Sequence, residues 1–134
     1  MKNIARVLSL SNSVYYVDLR QNGLSNKCAN TLYEMLRFNE SIIHLEFGST
    51  VGSHPNRLGN EVCEKIGKVF ETGVTLLQYL SLSGTSICAE DLQKISDSIC
   101  KSNYKFLHTL DVSNNRLSGV AAGNAIASLL KREH

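Results

Sequence analysis

The 134-residue sequence contains no long apolar run and no strong excess of either charge. No apolar stretch approaches the roughly 20 residues that a membrane-spanning helix requires, and the apolar stretch at the start is too short for a signal peptide. Lysine and arginine together number 14 and aspartate and glutamate 12, so the formal net charge is only +2. We therefore expect neither a membrane nor a nucleic acid as a partner.

Proline is also scarce, with a single residue, and 43% of the residues are hydrophobic. This composition is typical of a domain that folds and not of a disordered chain. The four cysteines include no Cys-x-x-Cys pair, which favours free thiols and a cytoplasmic location over secretion. The length fits one domain, residues 1–134.

Four windows of the chain resemble one another. They begin at Val14, Ile42, Leu77 and Leu107, at spacings of 28, 35 and 30 residues. Each window has apolar residues at its first, fourth and sixth positions and asparagine or threonine at its ninth. This alternation predicts a short strand with one buried face. The ninth positions are Asn22, Thr50, Thr85 and Asn115.

A different period follows each window. Apolar residues recur 5, 8 and 12 positions after an apolar anchor (Leu24, Leu58, Ile87 or Leu117), which predicts one buried stripe of an amphipathic helix. The predicted stripes are Ala29, Leu32 and Leu36; Cys63, Ile66 and Phe70; Leu92, Ile95 and Ile99; and Ala122, Ala125 and Leu129. Strand and helix thus alternate four times in register.

The pattern LxxLxLxxNxL followed by a helix resembles the ribonuclease-inhibitor-like class of leucine-rich repeats. The resemblance implies an α/β right-handed solenoid, a horseshoe fragment with a parallel β-sheet on the concave face and α-helices on the convex face. It also implies an asparagine ladder, in which Asn22 and Asn115 turn their side-chain amides inward and satisfy backbone groups in the turn after the strand. Thr50 and Thr85 take the place of asparagine in the other two units. The predicted units are a partial repeat or helix over 1–13 and repeats over about 14–41, 42–76, 77–106 and 107–134.

Both ends of this stack lack an obvious polar cap. Ile4, Val7, Leu8 and Leu10 predict the apolar stripe of a helix without a strand of its own, and no capping segment follows the last helix. Because solenoid ends normally need a polar cap, we expect either a fragment of a longer protein or edge-to-edge self-association through the ends.

The second unit contains six extra residues, which we assign within the loop 51–57. Gly52, Ser53, Pro55 and Asn56 are typical loop formers. Loops on a rigid repeat scaffold often carry binding specificity, so His54, Asn56 and Arg57 are candidate contact residues. The alternative is a tolerated surface insertion, since lengthening a loop costs little free energy.

The third, fifth and seventh positions of each strand point away from the core and line the concave face. Tyrosines beside acidic residues form a plausible protein-binding surface, although these positions face solvent in any leucine-rich repeat. The candidate contact residues are Tyr16, Asp18, Arg20, His44, Glu46, Tyr79, Ser81, Thr109 and Asp111.

No arrangement of these residues predicts catalysis, a metal or a cofactor. Asp18 and Glu46 should lie about 5 Å apart on adjacent strands, but an open concave surface implies no pocket that excludes water. We therefore predict a non-catalytic protein–protein interaction module with an unidentified protein partner. The alternatives are a regulator of an enzyme, of the GTPase-activating or ribonuclease-inhibiting kind, and a purely structural segment of a longer solenoid.

Overall fold

The computed structural model describes residues 1–72 and 74–132. The predicted last repeat, 107–134, extends to residues 133 and 134, which lie outside the described residues. The helices are α1 (Lys2–Leu10), α2 (Ala29–Leu36), α3 (Asn60–Thr72), α4 (Ala89–Ser102) and α5 (Gly119–Lys131), with a short 3₁₀ helix at Asn26–Cys28. The strands are β1 (Tyr16–Asp18), β2 (His44–Glu46), β3 (Tyr79–Ser81) and β4 (Thr109–Asp111).

The four strands form one open sheet in the order β1-β2-β3-β4, and all pairs are parallel. Each strand lies beside its sequence neighbour without any slip, so equal positions of the four windows face each other. Each helix packs against the next one along the chain. The predicted fold class, an α/β leucine-rich-repeat solenoid fragment, is confirmed.

The core lies between the sheet and the helices, as the two periodicities predict. The central strand residues Leu45 and Leu80 are fully buried, and so are Phe47 and Leu82 two positions later. Eleven of the twelve predicted helix-stripe residues are buried as well, and Leu129 is partly buried on the last helix. Stacked units therefore share one continuous core.

The prediction for the first helix is right in its position and wrong in its buried face. Ala5 is buried and Leu8 is partly buried, but Ile4, Val7 and Leu10 are 58%, 68% and 80% exposed. Among the described helices, α1 packs only against α2. Only its side towards α2 is covered, and the other apolar side chains face solvent.

The ladder residue of the second unit is Asn56, and the prediction that Thr50 takes this place is wrong. The Asn56 carbonyl oxygen accepts hydrogen bonds from the backbone N–H groups of Asn22 and Leu24, at 3.2 and 2.9 Å. Its amide nitrogen donates to the carbonyl oxygens of Leu19 and Phe47, both at 2.9 Å. Asn56 thus joins the turn of its own unit to the turn of the preceding one.

Asn115 makes the equivalent set of bonds two units later, as predicted. Its side-chain oxygen accepts from the N–H groups of Thr85 and Ile87, and its amide nitrogen donates to the carbonyl oxygens of Leu82 and Val112. The matching bonds align Asn56 with Asn115. The inserted residues therefore precede the ladder position and cover 50–55, with Thr50 at their exposed start.

The two remaining ladder positions behave differently. Thr85 is fully buried and donates its single hydroxyl proton to the carbonyl oxygen of Leu82, at 2.7 Å. Asn22 is exposed and donates only to the carbonyl oxygen of Arg20, so its predicted inward orientation is wrong. A ladder asparagine bonds to the unit before it, and the first unit has no preceding strand among the described residues.

We expect replacement of Asn56 with alanine to lower the free energy of unfolding by about 3 kcal/mol, because buried backbone groups lose their hydrogen-bond partners. Replacement of Thr50 with alanine should change it by less than about 0.5 kcal/mol, because this side chain is exposed. Urea unfolding followed by circular dichroism measures both. Equal losses in the two variants would contradict the assignment of the ladder.

Candidate functional site

Three aromatic rings are stacked across the concave side of the sheet. Tyr16, His44 and Tyr79 are register partners on β1, β2 and β3. The centroids of Tyr16 and His44 lie 4.4 Å apart with planes inclined by 22°, and those of His44 and Tyr79 lie 4.0 Å apart at 6°. The strand spacing of about 4.8 Å brings planar side chains in one row into contact. Thr109 ends the row on β4.

The next outward-facing row contains three carboxylates, and Asp18 is the most tightly bound of them. Arg20 donates from Nε to both Asp18 oxygens, at 3.0 and 3.1 Å, and from Nη2 at 2.7 Å, and its backbone N–H bonds to the same carboxylate. These hydrogen bonds lower the pKa of Asp18 and raise that of Arg20. The charges of this pair largely cancel each other.

Glu46 lies in the same row on β2 and is linked to the ring stack. Its Oε1 lies 3.1 Å from Nε2 of His44, and only 14% of its side chain is exposed. Burial and the nearby Glu46 charge raise the pKa of Tyr79. The ring row and the carboxylate row are therefore in direct contact.

Asp111 is the third carboxylate, on β4. Its Oδ1 accepts from the backbone N–H of Ser113 at 3.0 Å and from the Ser113 hydroxyl at 2.6 Å. Between Asp111 and Glu46 lies Ser81, their register partner on β3. Ser81 is only 2% exposed, although it lies on the concave side as predicted and lines the concavity there.

The concave face contains a local concavity of about 660 Å³. The sequence predicts only an open surface there. Its lining includes the three carboxylates, Arg20 and Tyr79, together with the small residues Gly48, Ser81 and Ser83. Thr50 and Val51 of the insertion form part of its wall. The insertion thus closes one side of the candidate site.

The three candidate residues of the insertion have different environments. His54 is exposed, and its carbonyl oxygen accepts from Gly23 N–H at 2.9 Å. Arg57 is exposed and donates to the carbonyl oxygens of Asn56 and Gly84. Asn56 is fully buried and belongs to the ladder, which leaves it inaccessible to a partner.

Gly52 lies where the inserted loop approaches Gln21 in the turn of the first unit. Gly52 has φ +119°, and a Cβ atom there would collide with Oε1 of Gln21. Residues with a Cβ atom rarely adopt this backbone conformation, so a substitution at position 52 would be strained and the Gln21 side chain would have to move. Backbone hydrogen bonds from Gly23 N–H to His54 and from Arg57 N–H to Leu24 hold the loop beside the first unit.

The described residues contain no group of three or more histidine, cysteine, aspartate or glutamate side chains placed to hold a metal. All four cysteines are free thiols. Cys63 is fully buried, and this burial raises the pKa of its thiol to about 12. Across the described part of the chain, no helix is long and apolar enough to cross a membrane.

The family model described as Leucine Rich Repeat matches residues 106–125, which contain β4 and the first half of α5. This match supports a leucine-rich repeat protein. No curated protein matches the chain.

The matched leucine-rich repeat is the unit whose Asn115 bonds mirror those of Asn56. Its strand continues the register of the other three strands. The other units thus repeat the structure of the matched one, even where an insertion interrupts their sequence pattern.

Proposed function

We propose that this chain is a non-catalytic protein–protein interaction module that binds a protein partner through its concave strand face. The observation that carries the proposal is the stack of Tyr16, His44 and Tyr79 beside a concavity lined by carboxylates. Aromatic side chains are frequent anchors of protein interfaces because they bury a large area at a small entropic cost.

The rigidity of the sheet supports this proposal. The backbone ladder between neighbouring strands, together with the bridges of Asn56 and Asn115, fixes the positions of the outward-facing side chains. A surface that is ordered before binding loses less conformational entropy when a partner docks. Regulation of an enzyme would be one form of such binding.

The proposal extends to the class of repeat and to its setting. A helix of 8 to 14 residues links each pair of consecutive strands, which supports the ribonuclease-inhibitor-like class. We further propose a single domain over residues 1–134 and a cytoplasmic location, where four free thiols would remain reduced.

A pull-down from cell extract, quantified by mass spectrometry, tests the concave face. The double variant Tyr16→Ala/Tyr79→Ala should lower recovery of the bound partner by about tenfold or more. The matched control Phe38→Ala/Phe106→Ala also removes two exposed rings, but outside the strands, and should recover the partner normally. Equal recovery by both variants, each shown to be folded, would refute binding through the concave tyrosines.

Self-association through the ends of the stack is a second candidate. Beside β4 and α5 lies a groove of about 370 Å³ whose lining includes Leu110, Ile126 and Leu130, while α1 exposes apolar side chains at the other end. Each ladder asparagine bonds to backbone groups of the unit before it. If the last unit of a second copy packed against the first unit, it would offer such backbone groups to Asn22. Such a head-to-tail contact is heterologous.

Sedimentation velocity over a range of concentrations tests this second candidate. The wild-type protein should show a mass that increases with concentration, and Leu130→Asp should abolish the increase because it places a charge in the contact. Val51→Asp, at an equally exposed residue on the concave side, serves as the control and should behave like the wild type. A wild-type monomer at every concentration would exclude self-association.

A further inference from the structure

We propose that the concavity between β2 and β4 binds an arginine side chain of the protein partner. This inference rests on the proposed function, because the same concave face would receive the partner. It adds the chemistry by which the partner is recognised.

The charge of the concavity is the first argument. Its lining includes three carboxylates and one guanidinium group, Arg20, for a formal charge of −2. Arg20 is held by both oxygens of Asp18, so this cation is already paired. The excess negative charge therefore lies at Glu46 and Asp111.

Each of these two carboxylates can accept further hydrogen bonds. Glu46 uses Oε1 for His44, and Asp111 uses Oδ1 for both of its bonds to Ser113. Oδ2 of Asp111 accepts no hydrogen bond from the described residues, whereas the Glu46 carboxylate also interacts with the Tyr79 hydroxyl, whose pKa is raised by burial and by this carboxylate. Both carboxylates can still accept strong charge-assisted hydrogen bonds, because each carboxylate has about four lone-pair sites.

The placement of the carboxylates fits a wide cation. Glu46 and Asp111 lie on strands two positions apart in the sheet, a separation of about 10 Å between the strands. The floor between them consists of small side chains, since Ser81 and Ser83 are buried and Gly48 lies next to Ser81. A guanidinium group donates from both edges of its plane and can reach both carboxylates, whereas an ammonium group is a compact point charge.

The ring of Tyr79 offers an aromatic face on which a guanidinium group could stack. Tyr79 stacks on His44 from the β3 side, so its other face is directed towards β4. The register partner on that strand is Thr109, whose small side chain leaves room above the ring. Guanidinium groups stack favourably on aromatic faces, and a side chain in the concavity would lie beside Tyr79.

Titration of the ¹⁵N-labelled full chain with N-acetyl-arginine amide, followed by NMR, tests the inference. We expect saturable shifts of the backbone amides of Ser81, Ser83 and Asp111. The neutral isostere N-acetyl-citrulline amide should cause no saturable shift, and N-acetyl-lysine amide should bind roughly fivefold more weakly. Equal binding of arginine and citrulline, or no saturation with arginine, would overturn the inference.

Variants with matched charge changes locate the site. Glu46→Gln/Asp111→Asn should weaken arginine binding by about tenfold or more, because two charge-assisted contacts are lost. Glu64→Gln/Asp97→Asn removes two carboxylates from exposed helix positions and should leave binding within about twofold of wild type. If the two variants lose binding equally, the attraction is only that of net charge and the inference is wrong.

The outcome is separable from that of the proposed function. The pull-down with tyrosine variants uses no arginine probe, so an unsaturated titration overturns arginine recognition and leaves protein binding to that experiment. Conversely, saturable arginine binding at these amides supports the arginine site even if the tyrosine variants recover the partner normally. That result would refute only the role of Tyr16 and Tyr79 as anchors of the partner.

Discussion

Asparagine side-chain amides connect neighbouring units at two of the three junctions of this stack. Asn56 bonds to four backbone groups in the turns that follow the strands, and Asn115 bonds to five. These bonds fix the turns relative to one another at the first and third junctions, where the strands pair without a slip. Strands β2 and β3 also pair in register, although Thr85 makes no such bridge. This register in turn aligns the ring row and the carboxylate row of the concave face.

Much of the fold follows from the two periodicities in the sequence. In the second unit, however, counting positions from the start of the window identifies the wrong ladder residue. Position nine of that window is Thr50, but a count from the strand cannot show on which side of the ladder residue an insertion lies. Asn56-Arg57-Leu58 has the same form as Asn115-Arg116-Leu117, a signal that points to the correct residue. The buried face of α1 could not be predicted because it depends on which neighbours cover the helix.

The candidate site was predictable as a set of positions and not as an arrangement. Alternation places Tyr16, His44 and Tyr79 on the concave side, but their parallel stacking depends on side-chain rotamers that no pattern shows. Alternation also places Ser81 on the concave side, but it does not show that this residue is nearly fully buried there. The wall formed by Val51 depends on the path of the insertion, which a loop composition does not determine.

Exchange of the side-chain amide protons of the three asparagines with solvent, measured by NMR, tests the ladder most directly. We expect slow exchange for Asn56 and Asn115, whose amides are bonded between units, and fast exchange for Asn22, which is exposed. Exchange of Asn56 as fast as that of Asn22 would contradict this expectation.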